Sequence, residues 1–132
     1  VEALSGLTVD LPYPPSVNHL WRRVGKRTVI SREGRAFRRD AAARLAALGV
    51  GPPRFPMRGR LRVRIETFPP DRRRRDLDNL QKALFDALEH AGAYADDGQI
   101  DRIEIERGPV TPGGMVRVAV EPMATDTHGD RA

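Results

Sequence analysis

The chain changes sign across one peptide bond, Arg75–Asp76. Residues 21–75 carry 18 Arg or Lys against four acids, whereas residues 76–106 carry nine acids against two bases. Charges at that density stay in water or meet a partner, so the elements of the basic half are expected to be one-sided, apolar inward and arginine outward. A basic half suits a polyphosphate backbone. The acidic stretch beside it would repel that backbone unless a divalent cation neutralised it. Two solvated faces are the ordinary explanation of charged stretches, but here they must also explain an abrupt boundary.

The periodicity agrees with one-sided elements. Leu7, Val9 and Leu11 alternate with Thr8 and Asp10, which predicts a first strand. The proline cluster from Pro12 to Pro15 ends it. Residues 20–30 read as a hairpin, Leu20–Val24 and Thr28–Ile30, turning at Gly25-Lys26 and carrying Arg22, Arg23 and Arg27. From the N-cap Ser31 a helix is predicted to about Leu48, with Phe37, Ala41, Leu45 and Leu48 on one face and Gly49 as its stop. After a proline-rich connector, Leu61, Val63, Ile65 and Thr67 alternate with Arg60, Arg62, Arg64 and Glu66, the clearest strand of the chain. A second helix fits residues 78–91, where Leu80, Leu84, Phe85, Leu88 and Ala91 recur at helical spacing before Gly92. Two further strands follow, near Arg102–Arg107 and Val116–Glu121, joined by the turn-rich stretch Gly108 to Gly114. This order predicts an α+β fold, a mixed β-sheet with two helices, over residues 1–122, with a polar, frayed tail over 123–132.

A length of 132 residues allows one domain, and with only 5% aromatic residues its core should be aliphatic and shared in part with a partner subunit. The absence of cysteine excludes disulfides and thiolate metal sites and fits a reducing cytoplasm. No apolar run is long enough to cross a bilayer and no leader-like segment precedes the first strand, so the expected location is cytoplasmic, away from membranes.

The chemistry-bearing residues concentrate in DRRRRDLDNLQK, residues 71–82, and in Asp96-Asp97. In an extended segment Asp76 and Asp78 would leave the same face with Cα atoms about 7 Å apart, a frame for a cation. Mg²⁺ takes one or two carboxylates, several waters and substrate phosphate oxygens, so aspartates on separated elements suit one or two such ions. Taken alone, Asp78 is better explained as a helix N-cap, and Asp76 is open to explanation as an offset to the arginines. A lone D-x-D is weak; its conjunction with Arg72, Arg73, Arg74, Arg75, Asn79, Lys82 and the second aspartate pair is what raises it. Lys82 is one of only two lysines among 23 basic residues, four positions after Asp78 on the same helical face. A compact ammonium there would orient water or stabilise phosphate charge; the plain alternative is an ion pair with Asp78 or Asp86. His19, His90 and His128 have no ligand spacing, and Ser16 and Ser31 have no base.

These residues resemble the core motif of the RusA-type Holliday junction resolvases, small prophage-associated endodeoxyribonucleases. DRRRRDLDNLQKALFDALEHAG with a following Asp-Asp is similar nearly residue for residue, and weaker likeness covers Leu11–Asn18, Ser31–Gly34 and Pro109–Gly114, so that it spans about residues 7–122. The resemblance implies a homodimer that binds branched DNA, the four-way Holliday junction, by structure and cuts two opposed strands with Mg²⁺ or Mn²⁺. The family's catalytic, metal-holding aspartates fall on Asp76, Asp78 and Asp97, and its essential lysine on Lys82. Tyr13 stands where a tryptophan is common, and Val17 where a second polar residue is common.

The expected function is therefore metal-dependent, structure-selective cleavage of DNA in recombination and repair, leaving 5′-phosphate and 3′-hydroxyl ends. Arg72–Arg75, with Arg22, Arg23, Lys26 and Arg27 of the hairpin and the arginines of the strand 60–64, would contact phosphates without reading bases, and Asn18 is a further expected DNA contact. The helix 78–91 is the first guess for the dimer surface. A non-catalytic DNA-binding module is the main alternative, and a phosphoesterase of small substrates or RNA ranks lower because it leaves the basic half without a purpose.

Overall fold

The computed structural model describes residues 6–123. Along them lie β1 (Leu7–Pro12), α1 (Val17–Leu20), β2 (Trp21–Val24), β3 (Arg27–Ile30), α2 (Arg32–Ala47), β4 (Leu61–Phe68), α3 (Gln81–His90), β5 (Ile100–Arg107) and β6 (Met115–Pro122). Strand alternation decides the centre: β4 buries Leu61, Val63, Ile65 and Thr67 and turns Arg62, Arg64 and Glu66 to the other face. Such a strand needs neighbours on both edges to satisfy its backbone. It has them in a four-stranded sheet of order β1-β6-β4-β5, antiparallel except for the parallel pair β4–β5. A parallel pair requires a crossover, and α3 supplies it.

Helices α2 and α3 cover one face. Phe37, Ala41 and Leu45 of α2 meet Ala83, Leu84, Ala87 and Leu88 of α3 over the buried side chains of β1, β4 and β6. The opposite face is charged and paired across strands, Arg62 to Glu121 at 2.7 Å and Arg117 to Asp10 at 2.8 Å. This is the mixed sheet with two main helices that the periodicity predicts.

The hairpin β2–β3 forms its own two-stranded sheet, turning at Gly25-Lys26 as expected. Its base is clamped to α2. The Ser31 N–H donates to the Leu20 carbonyl at 2.8 Å, and the Ser31 hydroxyl donates to the His19 carbonyl at 2.6 Å while accepting from the Gly34 N–H at 2.9 Å. A Cβ at residue 34 would lie 2.7 Å from Ile30 Cγ1 and 2.9 Å from the Leu20 carbonyl, so only glycine fits this crossing.

Four local expectations change. Leu20 ends the short helix α1 and is buried rather than starting β2. Leu48 is 53% exposed, because α2 stops at Ala47 and the chain turns back through Gly49 to bond the Val50 N–H to the Leu45 carbonyl. The second helix begins as a 3₁₀ turn, Leu77–Leu80, before α3. Phe55 and Tyr94, in segments with no periodic pattern, join the core. Because the apolar face of α3 is spent inside, that helix is not an apolar dimer surface. The expected tail beyond Met123, including His128, lies outside the described residues, among which no helix is long and apolar enough to cross a membrane.

Truncating Leu84, which is 0% exposed, is expected to cost about 2–5 kcal/mol, whereas Leu48→Ala should stay within about 0.5 kcal/mol; urea unfolding midpoints of the two variants check the contrast.

Candidate active site

The loop that leaves β4 is braced from within. The Arg75 guanidinium donates to Asp71 Oδ1 at 2.7 Å and to the Asp71 and Arg73 carbonyls at 3.2 Å, and it lies 5.6 Å over the Tyr13 ring. Asp71 Oδ1 also accepts the Arg73 N–H at 2.9 Å, and Arg107 donates to the Arg75 carbonyl at 2.7 Å. From the far side the Thr111 N–H donates to the Pro69 carbonyl at 2.8 Å, and Gly114, at φ 70°, comes so close that a Cβ would sit 3.0 Å from Pro70 and Tyr13. The proline cluster after β1, the loop after β4 and the turn before β6 thus assemble at one end of the sheet.

Arg75 is therefore a strut, its side chain 21% exposed, and is the least available of the four arginines to a ligand. Arg72 and Arg74 are exposed with no side-chain hydrogen bond or ion pair among the described residues, and Arg73 meets Asp71 only at 3.9 Å with 78% of its side chain exposed. Arg22, Arg23, Lys26 and Arg27 on the hairpin are likewise exposed and without an ion pair among the described residues. Asn18 is exposed on α1, which packs against the 77–80 turn and α3.

Asp76 has extended backbone (φ −87°, ψ 139°) and its carbonyl accepts the Asn79 N–H at 3.2 Å. Asp78 falls inside the 3₁₀ turn, so the two aspartates are not related by strand alternation as the sequence suggested. Neither carboxylate caps a helix. Lys82 is exposed on the first turn of α3 and forms no ion pair, since Asp86 is held by Arg38 through two bonds of 2.8 and 2.9 Å. The plain explanations of Asp78 as a helix cap and of Lys82 as half of a helix-surface pair thus find no counterpart in the contacts among the described residues.

Asp97 lies at the other end of α3. There Tyr94 is buried and donates its hydroxyl to the Phe85 carbonyl at 3.0 Å. Burial, and then the negative charges of Asp97, Glu89 and Asp86, push its phenol far above the ordinary tyrosine range. Asp96 caps the 3₁₀ turn Asp97–Gln99 by accepting the Gly98 N–H at 3.1 Å, and the Asp97 N–H donates to Glu89 Oε1 at 3.2 Å. Ligand oxygens of Glu89, Asp96 and Asp97 lie within 4.8 Å of one another, the one such group of acids or histidines among the described residues. Asp76 and Asp78 are not in it. The ten residues of α3, rising about 1.5 Å each, stand between the two acidic sets.

Glu89 was not singled out from the sequence. Its signal was an acid in the last turn of a helix, where the dipole disfavours one, just ahead of an Asp-Asp pair. All five carboxylates, those of Glu89, Asp96, Asp97, Asp76 and Asp78, are exposed and pair with no Lys or Arg among the described residues. Hard oxygen donors of this kind, of which Glu89 and Asp96 also accept a backbone N–H, fit a hard divalent cation.

The profile of the family described as "Endodeoxyribonuclease RusA" matches residues 12–121. The chain belongs to the RusA family. It is 43% identical over 122 residues to "Crossover junction endodeoxyribonuclease RusA" of Escherichia coli (strain K12), covering 90% of this chain and 97% of that relative. It is 42% identical over 123 residues to the protein of that name from Enterobacteria phage 82, covering 89% and 96%. To the one from Enterobacteria phage HK97 it is 42% identical over 110 residues, covering 83% and 89%. The RusA match runs from the last residue of β1 into β6, so it takes in both acidic sets, the braced loop and the hairpin.

The Arg75 hydrogen bond, then the Arg73 N–H, hold the Asp71 carboxyl at about 2 against an ordinary 3.8. A depressed folded value means that the brace is complete above the ordinary carboxyl range and is lost as pH falls towards 2. A carbon-detected NMR titration should find Asp71 titrating near 2 in the native protein and higher in Arg75→Gln, though still below its ordinary value because the Arg73 N–H remains.

Proposed function

We propose that this chain is a crossover junction endodeoxyribonuclease that hydrolyses two opposed strands of a four-way DNA junction as a cytoplasmic homodimer using Mg²⁺ or Mn²⁺. One observation carries the catalytic reading beyond family membership. Asp76, Asp78 and Lys82 stand exposed and unspent beside outward-facing arginines, although neighbouring acids and bases pair with one another. A non-catalytic binding module has no use for carboxylates held free next to a phosphate-binding surface.

Asp76, Asp78 and Asp97 would hold the ion, which in such a site polarises the phosphate and lowers the pKa of water. Arg72, Arg74 and the hairpin cations bind phosphates, and the Lys82 ammonium holds a non-bridging oxygen of the scissile phosphate. In Asp76→Asn, junction cutting should fall at least about 100-fold, since even outer-sphere partners of a metal site are worth about 10–100-fold, while junction binding persists. Gel assays with a four-way junction and a matched duplex, with Mg²⁺ or chelator, test this; unimpaired cutting by the variant, or equal cutting of junction and duplex by the native protein, would sink the proposal.

The separation of Asp97 from Asp76 and Asp78 supports a dimer. Among the described residues the outer edge of β5 has no partner strand, no residue of β5 is fully buried, and Ile103 is 43% exposed. An open edge of this length is a template for another strand. Antiparallel pairing of two β5 strands about a two-fold axis at Ile103 stacks the two isoleucines and sets Arg102 opposite the partner's Glu104. It also carries Asp97 of the partner subunit towards Arg107, which holds the carbonyl next to Asp76. Each metal site is then completed by the other copy.

Subunit mixing distinguishes shared from separate sites. Asp76→Asn and Asp97→Asn homodimers should both be inactive, yet co-refolded heterodimers should nick one strand, because one site receives both lesions and the other none. Complete inactivity of the mixture would refute the shared site.

A further inference from the structure

The turn that presents Asp97 is held by one side chain. Gln99 Oε1 accepts the backbone N–H groups of Ala95 at 3.0 Å and Asp96 at 3.1 Å, while its Nε2 donates to the carbonyls of Met57 at 3.0 Å and Gly59 at 2.9 Å. An amide has two acceptor sites and two donor hydrogens, so its capacity is fully used. The segment it reaches is itself fixed. The Met57 N–H donates to the Ala93 carbonyl at 2.8 Å, and Met57 bridges Tyr94. Arg60 adds a bond of 2.8 Å to the Gly98 carbonyl from the start of β4. The 95–99 turn is thereby locked to the central sheet on both sides of Asp97, whose own side chain is left exposed and unpaired.

We propose that Gln99 is a positioning residue for the metal site. It acts through the turn, not on the ion, by fixing the backbone that aims the Asp97 carboxylate. This rests on the reading of Asp97 as a metal ligand. No other side-chain type present in the turn satisfies two N–H groups and two carbonyls at once, and loss of that latch frees the ligand rather than unfolding the sheet.

The test measures Mn²⁺ affinity of the full-length protein without DNA, by electron paramagnetic resonance of free Mn²⁺, beside thermal unfolding, oligomeric state and amide exchange at residues 95–98. Gln99→Met should weaken Mn²⁺ binding about tenfold or more and speed exchange in the turn, with folding, dimer and chelator-insensitive junction binding kept. Gln99→Asn, which keeps the amide but shortens its reach, should lose affinity in the same direction and serves if the methionine variant does not fold. Native Mn²⁺ affinity in a folded Gln99 variant overturns the proposal. Asp97→Asn separates the two claims: if it binds Mn²⁺ as the native protein does, the ligand assignment fails and the positioning role with it; if it loses binding while a Gln99 variant does not, only the positioning role fails.

Discussion

A strand of fixed length holds the two acidic sets apart. β4 is hydrogen-bonded on both edges, and eight residues rising about 3.3 Å each make a rigid spacer of about 26 Å. The segment before it, Met57 to Arg60, anchors the Asp97 turn, and the loop after it delivers Asp76. α3 runs back between the same two points. Neither set can drift towards the other without breaking the parallel pair β4–β5. If Asp76, Asp78 and Asp97 share one ion, as proposed, a chain built this way brings them together more readily with a second copy than by bending.

The sign change at Arg75–Asp76 gains a mechanical meaning from the same geometry. Arg75 does not face outward with Arg72 and Arg74; it closes onto Asp71 and Tyr13 and so fixes the point from which Asp76 departs. The last base of the run belongs to the scaffold, and on the proposed reading the first acid after it belongs to the chemistry. Four arginines in succession hide this division, because side chains with the same formula take different roles once the loop curls.

What the sequence revealed was the local part. The alternation of Leu61 to Thr67, the Ser31 cap and the Gly25-Lys26 turn are set by neighbours a few residues away and appear where periodicity puts them. Leu48 misled because a helical stripe does not announce that its helix stops one residue early. Tyr94 and Phe55 were invisible as core because their burial comes from distant elements. The candidate site divides similarly: family resemblance pointed to Asp76, Asp78, Asp97 and Lys82, but the separation of their elements, the gathering of Glu89 with Asp96 and Asp97, and the four hydrogen bonds of the Gln99 amide are tertiary facts.

The open edge of β5 bears on how such an enzyme would be restrained. With each site on the proposed pairing assembled from two chains, a lone chain carries only half of any site, and catalytic capacity at low abundance grows with the square of chain concentration. Dissociation extinguishes both sites together, so the assembly has no resting form able to leave a single-strand break. Mass action at one strand edge would then do the work of an inhibitor.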